Sequence, residues 1–135
     1  MFGKIEHLGI AVKDLKAANE VYANLLGSPA YKEEAVESEN VTTSFFKSGD
    51  NKIELLAATS PESAIAKFIE KKGEGIHHVA FAVDDIHLEI SRLKENGFTI
   101  LTDPPKRGAD NKLIAFVHPK SSNGVLVELC QEITE

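Results

Sequence analysis

Polar and apolar residues alternate in two stretches of the chain, residues 4–12 and 75–83. Such alternation is typical of a strand with one buried face, because successive side chains point to opposite faces. A helical spacing of apolar residues follows each stretch, and short β-prone runs separated by turn residues follow each helix. The pattern therefore predicts the order βαβββ twice, with the later strands at residues 30–37, 41–48, 52–57, 98–102, 111–118 and 124–131.

Aspartate and glycine mark the ends of the two predicted helices. Asp14 in the first half, and Asp84 or Asp85 in the second, precede the helical spacing. Aspartate is a favoured N-cap residue, because its carboxylate accepts hydrogen bonds from the first turn. Gly27 and Gly97 follow the helices, and glycine readily adopts the left-handed conformation that ends a helix.

The two halves of the chain are copies of each other. At an offset of 71, residues 5–15 and 76–86 share five of eleven residues, at Ile5/Ile76, His7/His78, Ala11/Ala82, Val12/Val83 and Asp14/Asp85. Ile53-Glu54-Leu55 similarly lies over Val127-Glu128-Leu129 at an offset of 74. We therefore predict a single domain over residues 1–135, composed of module 1 (about 3–58), a linking helix (about 61–72) and module 2 (about 74–132).

Histidines and glutamates occupy matching positions in the two halves. His7 and His78 each share their strand face with glycine or alanine only, at the positions two and four residues further on. These small neighbours leave room beside each imidazole and predict a cavity wall. Glu54 and Glu128 lie between apolar residues in the last strand of each half. A carboxylate in such a place is costly to bury unless a cation or hydrogen bonds compensate its charge.

Two imidazoles and two carboxylates form a candidate metal site. This set of nitrogen and oxygen donors suits a divalent ion such as Mn, Co, Ni, Fe or Zn, and suits Mg less well. Each residue alone has a plainer interpretation. A single histidine is more often structural, and a single glutamate in a strand more often prevents aggregation through an exposed sheet edge. The symmetry of the quartet favours the metal interpretation.

The negative net charge of the chain bears on what kind of partner it binds. Fifteen lysines and arginines against 21 acidic residues give a formal charge of −6, which argues against a nucleic-acid partner. Charged helix positions, Glu89 and Arg92 among them, are predicted to face solvent. An anionic ligand would be drawn to one locally basic segment, in which a single acidic residue accompanies Lys106, Arg107, Lys112 and Lys120.

The single cysteine and the short apolar runs indicate a cytoplasmic protein. One cysteine, Cys130, allows no internal disulfide, and this fits a reducing compartment. Cys130 shares the predicted strand face of Glu128, and we interpret it as a small core residue. No apolar run approaches the length of a membrane span. The sequence therefore predicts neither secretion nor insertion into a membrane.

The assembled residues resemble the vicinal oxygen chelate superfamily, also called the glyoxalase, bleomycin-resistance and dioxygenase fold, over the whole chain. The resemblance implies an α+β fold, in which two tandem βαβββ modules curve into one half-open mixed sheet around a divalent metal ion. It implies that the first and last strands of each module supply the metal ligands, here His7, Glu54, His78 and Glu128. It also implies a homodimer.

Within this superfamily the chain is most similar to methylmalonyl-CoA epimerases, in the stretches 5–12, 75–81, 118–120 and 124–129. The resemblance implies a metal-dependent isomerase, which removes and returns the proton α to a thioester through a metal-stabilised enolate. We hypothesise that Glu128 is one base, with Glu54, or a water or side chain near Thr43, as the other. Thr43 stands near the position where some epimerases carry an additional glutamate. The phosphates of an acyl-CoA substrate would then meet Lys106, Arg107 and Lys120.

Two alternative functions remain open from the sequence. Glyoxalase I, the lactoylglutathione lyase, uses the same kind of metal set on the hemithioacetal of methylglyoxal and glutathione. A non-catalytic member of the fold would bind a small molecule without reaction. Such members commonly lack the full ligand set, so the intact quartet argues against this alternative.

Overall fold

Both predicted βαβββ modules are present in the computed structural model of the chain, which describes residues 1–134. The described chain forms two compact units. The first unit comprises residues 7–77, and the second comprises residues 1–6 together with those from 78 onward. In chain order, the helices and strands are β1 (Ile5–Ala11), α1 (Leu15–Leu26), β2 (Lys32–Val36), β3 (Val41–Ser48), β4 (Asn51–Ala58), α2 (Ala64–Lys72), β5 (Gly75–Ala82), α3 (Ile86–Glu95), β6 (Lys106–Arg107), β7 (Lys112–Val117) and β8 (Val127–Glu132).

Helix α1 begins and ends where the sequence predicts. The Asp14 carboxylate accepts a hydrogen bond from the Ala17 N–H over 3.1 Å, and so satisfies one of the donors that a helix leaves unpaired at its first turn. Gly27 follows the helix in the left-handed conformation, with φ at 82°, which glycine adopts without steric cost. One side of α1 packs on a core formed by Val12, Phe46, Leu55 and Ala57.

The strands of the first unit lie in the order β2-β3-β4-β1. β3 and β4 form an antiparallel hairpin, and β1 runs parallel to β4. Residues directly opposite each other on neighbouring strands point to the same face of a sheet. The register places Gly9 and Phe45 opposite Glu54, so these three residues share one face. Helix α2 packs on that face against a cluster of Ala11, Val41 and Leu56.

The second unit repeats this arrangement with the strand order β5-β8-β7-β6. β5 runs parallel to β8, whereas β7 is antiparallel to both β8 and β6. Helix α3 is capped by Asp85, whose carboxylate accepts a hydrogen bond from the Leu88 N–H over 3.1 Å. The buried core between α3 and the strands comprises Val83, Ile86, Ile90, Leu93, Ala115, Val117 and Leu129.

The first six residues pack with the second unit. The Gly3 N–H donates to the Ala82 carbonyl over 2.8 Å, and the Ala82 N–H donates to the Lys4 carbonyl over 2.9 Å. The rings of Phe2 and Phe81 lie 5.1 Å apart between centroids. The compact units therefore do not follow the sequence repeat at this end of the chain.

The predicted strand at residues 98–102 is wrong. In the part of the chain that the structure describes, Ile100 forms only an isolated bridge with Val117, and the second strand of the second module is β6. Pro104 and Pro105 lie between the two places. Proline has no N–H to donate to a strand ladder, so regular pairing with β7 resumes only after them.

The linking helix begins later than predicted. Its cap is Ser63, whose Oγ accepts a hydrogen bond from the Ile65 N–H over 3.1 Å, rather than a residue near 61. The helix ends at Gly73, as the sequence indicates. Among the described residues, no helix is both long and apolar enough to cross a membrane.

Candidate metal centre

His7 and Glu54 form a buried pair in the first unit. His7 Nδ1 lies 3.1 Å from Glu54 Oε2, and the two residues are 4% and 6% exposed. The contact is possible because Glu54 lies opposite Gly9, two residues after His7 on the parallel neighbour strand. Gly9 has no side chain that would separate the imidazole from the carboxylate. The room predicted beside His7 is thus taken up by Glu54.

His78 and Glu128 form the equivalent pair in the second unit. His78 Nε2 lies 2.9 Å from Glu128 Oε1, and both residues are buried. Ala80, two residues after His78, lies opposite Glu128 on the parallel neighbour strand. Each unit therefore builds its pair in the same way, from a histidine, a small residue two positions later and a glutamate opposite that small residue.

These two pairs have the chemistry and the burial of metal-ligand residues. The charge of a buried carboxylate must be compensated, by hydrogen bonds, by a protonated imidazole or by a bound cation. The imidazole nitrogens and carboxylate oxygens are donors that first-row divalent ions prefer. The predicted ligands His7, Glu54, His78 and Glu128 therefore have the donor types that such an ion prefers, and the pair in each unit offers one nitrogen and one oxygen.

Two further residues hold the second pair. The Cys130 thiol donates a hydrogen bond to Glu128 Oε2 over 3.1 Å, while Glu128 Oε1 faces His78. Phe116 lies opposite Glu128 on β7 and packs edge-to-face on the His78 ring, with the centroids 5.7 Å apart. The sequence places Cys130 on the face of Glu128, since the two are two residues apart on one strand, but it gives no sign of the hydrogen bond.

Thr43 lies on the sheet face that carries Glu54. It is opposite Leu56, two residues after Glu54 on β4, and it is 2% exposed. Thr43 therefore belongs to the wall beside the His7–Glu54 pair.

The basic residues expected to bind phosphate do not all share one face. Lys106 lies opposite Ile114, which lies opposite Cys130, so Lys106 is on the face of the His78–Glu128 pair. Arg107 is the next residue in the strand and therefore points to the other face. Its Nη1 donates a hydrogen bond to Asn111 Oδ1 over 3.0 Å.

The two remaining basic residues of this segment differ in exposure. Lys112 is buried, with its Nζ 3.7 Å from Asp110 and 3.8 Å from Glu132, so acidic groups of the chain compensate its charge. Lys120 is exposed in a short 3₁₀ turn. The His118 imidazole caps this turn by accepting a hydrogen bond from the Lys120 N–H over 3.0 Å. The segment is therefore a weaker anion-binding surface than its composition indicates.

Glu89 is the residue that sequence reasoning placed wrongly. It is predicted to face solvent, but it is 3% exposed on α3. Its Oε2 lies 2.6 Å from the N-terminal ammonium of Met1, and its Oε1 accepts a hydrogen bond from Arg92 Nη2 over 2.9 Å. Hydrogen bonding to that ammonium, assisted by Arg92 and opposed by burial, lowers the pKa of Glu89. Because Met1 is 88 positions away, no local pattern indicates this contact.

Comparison with known sequences identifies the family. Residues 6–116 match the family described as the Glyoxalase/Bleomycin resistance protein/Dioxygenase superfamily. The chain therefore belongs to this family. The fold agrees with the resemblance found in the sequence.

Individual relatives narrow the comparison. An ethylmalonyl-CoA/methylmalonyl-CoA epimerase from Cereibacter sphaeroides is 43% identical over 133 residues, which cover 97% of this chain and 99% of the relative. Among solved structures, the hypothetical protein BH1468 from Bacillus halodurans C-125 has a TM-score of 0.94 at 42% identity, over 98% of this chain and 96% of its own. A methylmalonyl-CoA epimerase in complex with methylmalonyl-CoA and NH4+ has a TM-score of 0.92 at 33% identity, over 99% of this chain and 97% of its own. The predicted α+β class, with tandem βαβββ modules of the glyoxalase-like fold, is confirmed.

Proposed function

We propose that this chain is a metal-dependent epimerase that acts on methylmalonyl-CoA and inverts the carbon α to the thioester. The observation that carries the proposal is the pair of buried histidine–glutamate contacts at equivalent positions of the two units. The identities to epimerases over almost the whole chain support the choice of substrate. They favour it over a lactoylglutathione lyase and over a binding protein without catalytic activity.

The proposal includes one divalent ion, of Co, Mn, Ni, Zn, Fe or Mg, held jointly by His7, Glu54, His78 and Glu128. The burial of all four residues and their donor types support it. The internal repeat supports it as well, since each module supplies one nitrogen and one oxygen donor. A bound ion of this kind supplies Lewis-acid polarisation of the substrate's carbonyl oxygen.

Moving the proton is the task of the chain's own side chains. The hydrogen α to a thioester is weakly acidic, so a base must lie in contact with it. We assign this role on one face of the carbon to Glu128, because hydrogen-bond partners on both of its oxygens fix its orientation. Inversion requires a second group on the opposite face. Glu54, or a group near Thr43, is the candidate from the sequence.

Substrate binding and assembly complete the proposal. The exposed lysines Lys106 and Lys120 would contact the phosphates of CoA, with Lys106 on the face of Glu128. Arg107 points to the other face and would contribute less. Thr43 forms part of the wall of the site. We also propose, on the basis of the sequence, that the protein is a homodimer in the cytoplasm.

Hydrogen exchange tests the proposed reaction. One epimer of methylmalonyl-CoA is incubated in deuterated water with tag-free protein that has been stripped with a chelator and reloaded with Co or Mn. We expect both epimers to appear, carrying deuterium at the α carbon, only after reloading. Turnover of the methylglyoxal–glutathione hemithioacetal, without exchange into methylmalonyl-CoA, would contradict the epimerase and support the lyase.

A further inference from the structure

Strand pairing carries a second carboxylate, Glu34, onto the sheet face of Glu54. Glu34 of β2 lies directly opposite Thr43 of β3, and Thr43 lies directly opposite Leu56 of β4. Directly opposite residues share a face, and so do residues two apart on one strand. Glu34 and Glu54 therefore point to the same side of the first unit's sheet.

The Lys32 side chain contacts Glu34 on this face. Its Nζ lies 3.5 Å from Glu34 Oε1 and 4.6 Å from the centroid of the Phe45 ring. Phe45 lies between Lys32 and Glu54 in one cross-strand row, since it is opposite both of them. The side chains of Glu34, Lys32 and Phe45 thus form a chain of contacts that leads toward Glu54.

The two carboxylates differ in their access to water. The Glu34 side chain is 36% exposed, whereas the Glu54 side chain is 8% exposed and lies against the His7 imidazole. A carboxylate at the open margin of the same face can take a proton from substrate and release it to water.

We propose that Glu34 is the second proton-transfer group of the site, a proposal that rests on the epimerase function proposed above. For one epimer, the Glu34 carboxylate forms an O–H bond with the α proton as the C–H bond breaks, and the electron pair of that bond remains with the substrate as an enolate. The protonated Glu128 then donates its proton to the opposite face of the same carbon, and a new C–H bond forms. The reverse direction exchanges the two roles, so no oxidant or further reactant is required.

Glu33 provides the matched control. It neighbours Glu34 in β2 and therefore points to the other face of the sheet. There its Oε2 accepts a hydrogen bond from Asn19 Nδ2 over 3.1 Å. A Glu33→Gln change removes the same charge from the same strand without touching the face of Glu54.

Stereochemical analysis of Glu34→Gln tests the proposal. Each pure epimer of methylmalonyl-CoA is incubated in deuterated water with the metal-loaded wild type, Glu34→Gln and Glu33→Gln. We expect Glu34→Gln to slow inversion by about 100-fold or more, while one epimer alone still exchanges its α hydrogen for deuterium with retained configuration. Glu33→Gln should behave as the wild type. A merely structural role of Glu34 would not separate exchange from inversion in this way.

A rescue variant sharpens the test. Thr43→Glu, in the Glu34→Gln background, returns a carboxylate to the same face one strand away, at a distance of about 5 Å. We expect it to restore a substantial part of the inversion rate, provided that circular dichroism shows native folding. Inversion at the wild-type rate in Glu34→Gln, or an equal loss of exchange from both epimers, would overturn the assignment of Glu34. Failure of the wild type itself to exchange either epimer would instead count against the epimerase function.

Discussion

The His7–Glu54 and His78–Glu128 pairs share one backbone construction but have different neighbours. In both, the glutamate lies opposite the small residue two positions after the histidine. Two positions after the glutamate, the first unit has Leu56 and the second has Cys130, whose thiol donates a hydrogen bond that leucine cannot donate. Duplication of the module therefore preserved the donor geometry, while the surroundings diverged. We infer that the two carboxylates have different tasks, Glu54 as a ligand and Glu128 as both ligand and base.

The largest effect is expected from exchanging each carboxylate for an amide. Glu128→Gln removes the group that accepts the proton, so we expect kcat for epimerisation to fall by about 10³-fold. Glu54→Gln keeps an oxygen donor for the ion, and we expect a fall of only about 10-fold, within the range for weakened ligation. Steady-state rates at saturating metal measure both. Equal losses in the two variants would show that the two pairs do not differ in task.

A smaller effect is expected from the residue that distinguishes the two pairs. Cys130→Val keeps a buried apolar side chain but removes the donor to Glu128, so we expect affinity for Co to fall by about 10-fold or more. Cys130→Ser keeps a donor and should lose less. Competition with a chromogenic chelator measures the affinity, without reference to activity. Leu56→Met is the control in the first unit, since it changes the equivalent position with little change of volume.

Unchanged Co affinity in Cys130→Val would contradict the orienting role of the thiol. An equal loss of affinity in Leu56→Met would do so as well, because both effects would then reflect packing alone.

The smallest effect is expected from Glu89, a position at which the two helices differ. Helix α3 buries Glu89, whereas the equivalent position of α1 holds Ala18. The folded protein lowers the pKa of Glu89 from its ordinary value of 4.5. Its ionised form therefore contributes stability that is present above that value and is lost as the pH falls through the lowered pKa. We expect Glu89→Gln to reduce the free energy of unfolding at neutral pH by about 1 kcal/mol, with the difference from wild type narrowing in acid.

Urea denaturation at neutral pH and at about pH 3 measures this difference. Glu95→Gln is the control, because Glu95 is exposed on the same helix. A difference between Glu89→Gln and wild type that stays constant or widens in acid would contradict the role of the ionised carboxylate.

The sequence predicts those features that depend on local spacing. Asp14 and Asp85 cap their helices as expected, because a cap requires only residues within one turn. The strand faces of His7 and His78 also follow from alternation alone, and the chemistry of their glutamate partners follows from the internal repeat. These features can be read from local spacing and from the repeat, without knowledge of strand pairing.

Other features depend on strand register or on distant contacts. Glu89 contacts Met1, far away in the sequence, and the position of the second strand of the second module depends on where pairing resumes after two prolines. Glu34 shares a face with Glu54 only through pairing across β3. Strand pairing leaves no periodic pattern in the sequence, so these contacts are identified only from the folded structure.

The stoichiometry of metal binding tests the central claim most directly, namely that the two histidine–glutamate pairs serve one ion. Tag-free protein is stripped with a chelator, titrated with Co and measured by metal analysis, as wild type, His7→Ala and His78→Ala. We predict one tightly bound ion per chain in the wild type and loss of that ion in each variant. Two ions per wild-type chain, or a variant that keeps its ion with unchanged affinity, would contradict a single centre built from both pairs.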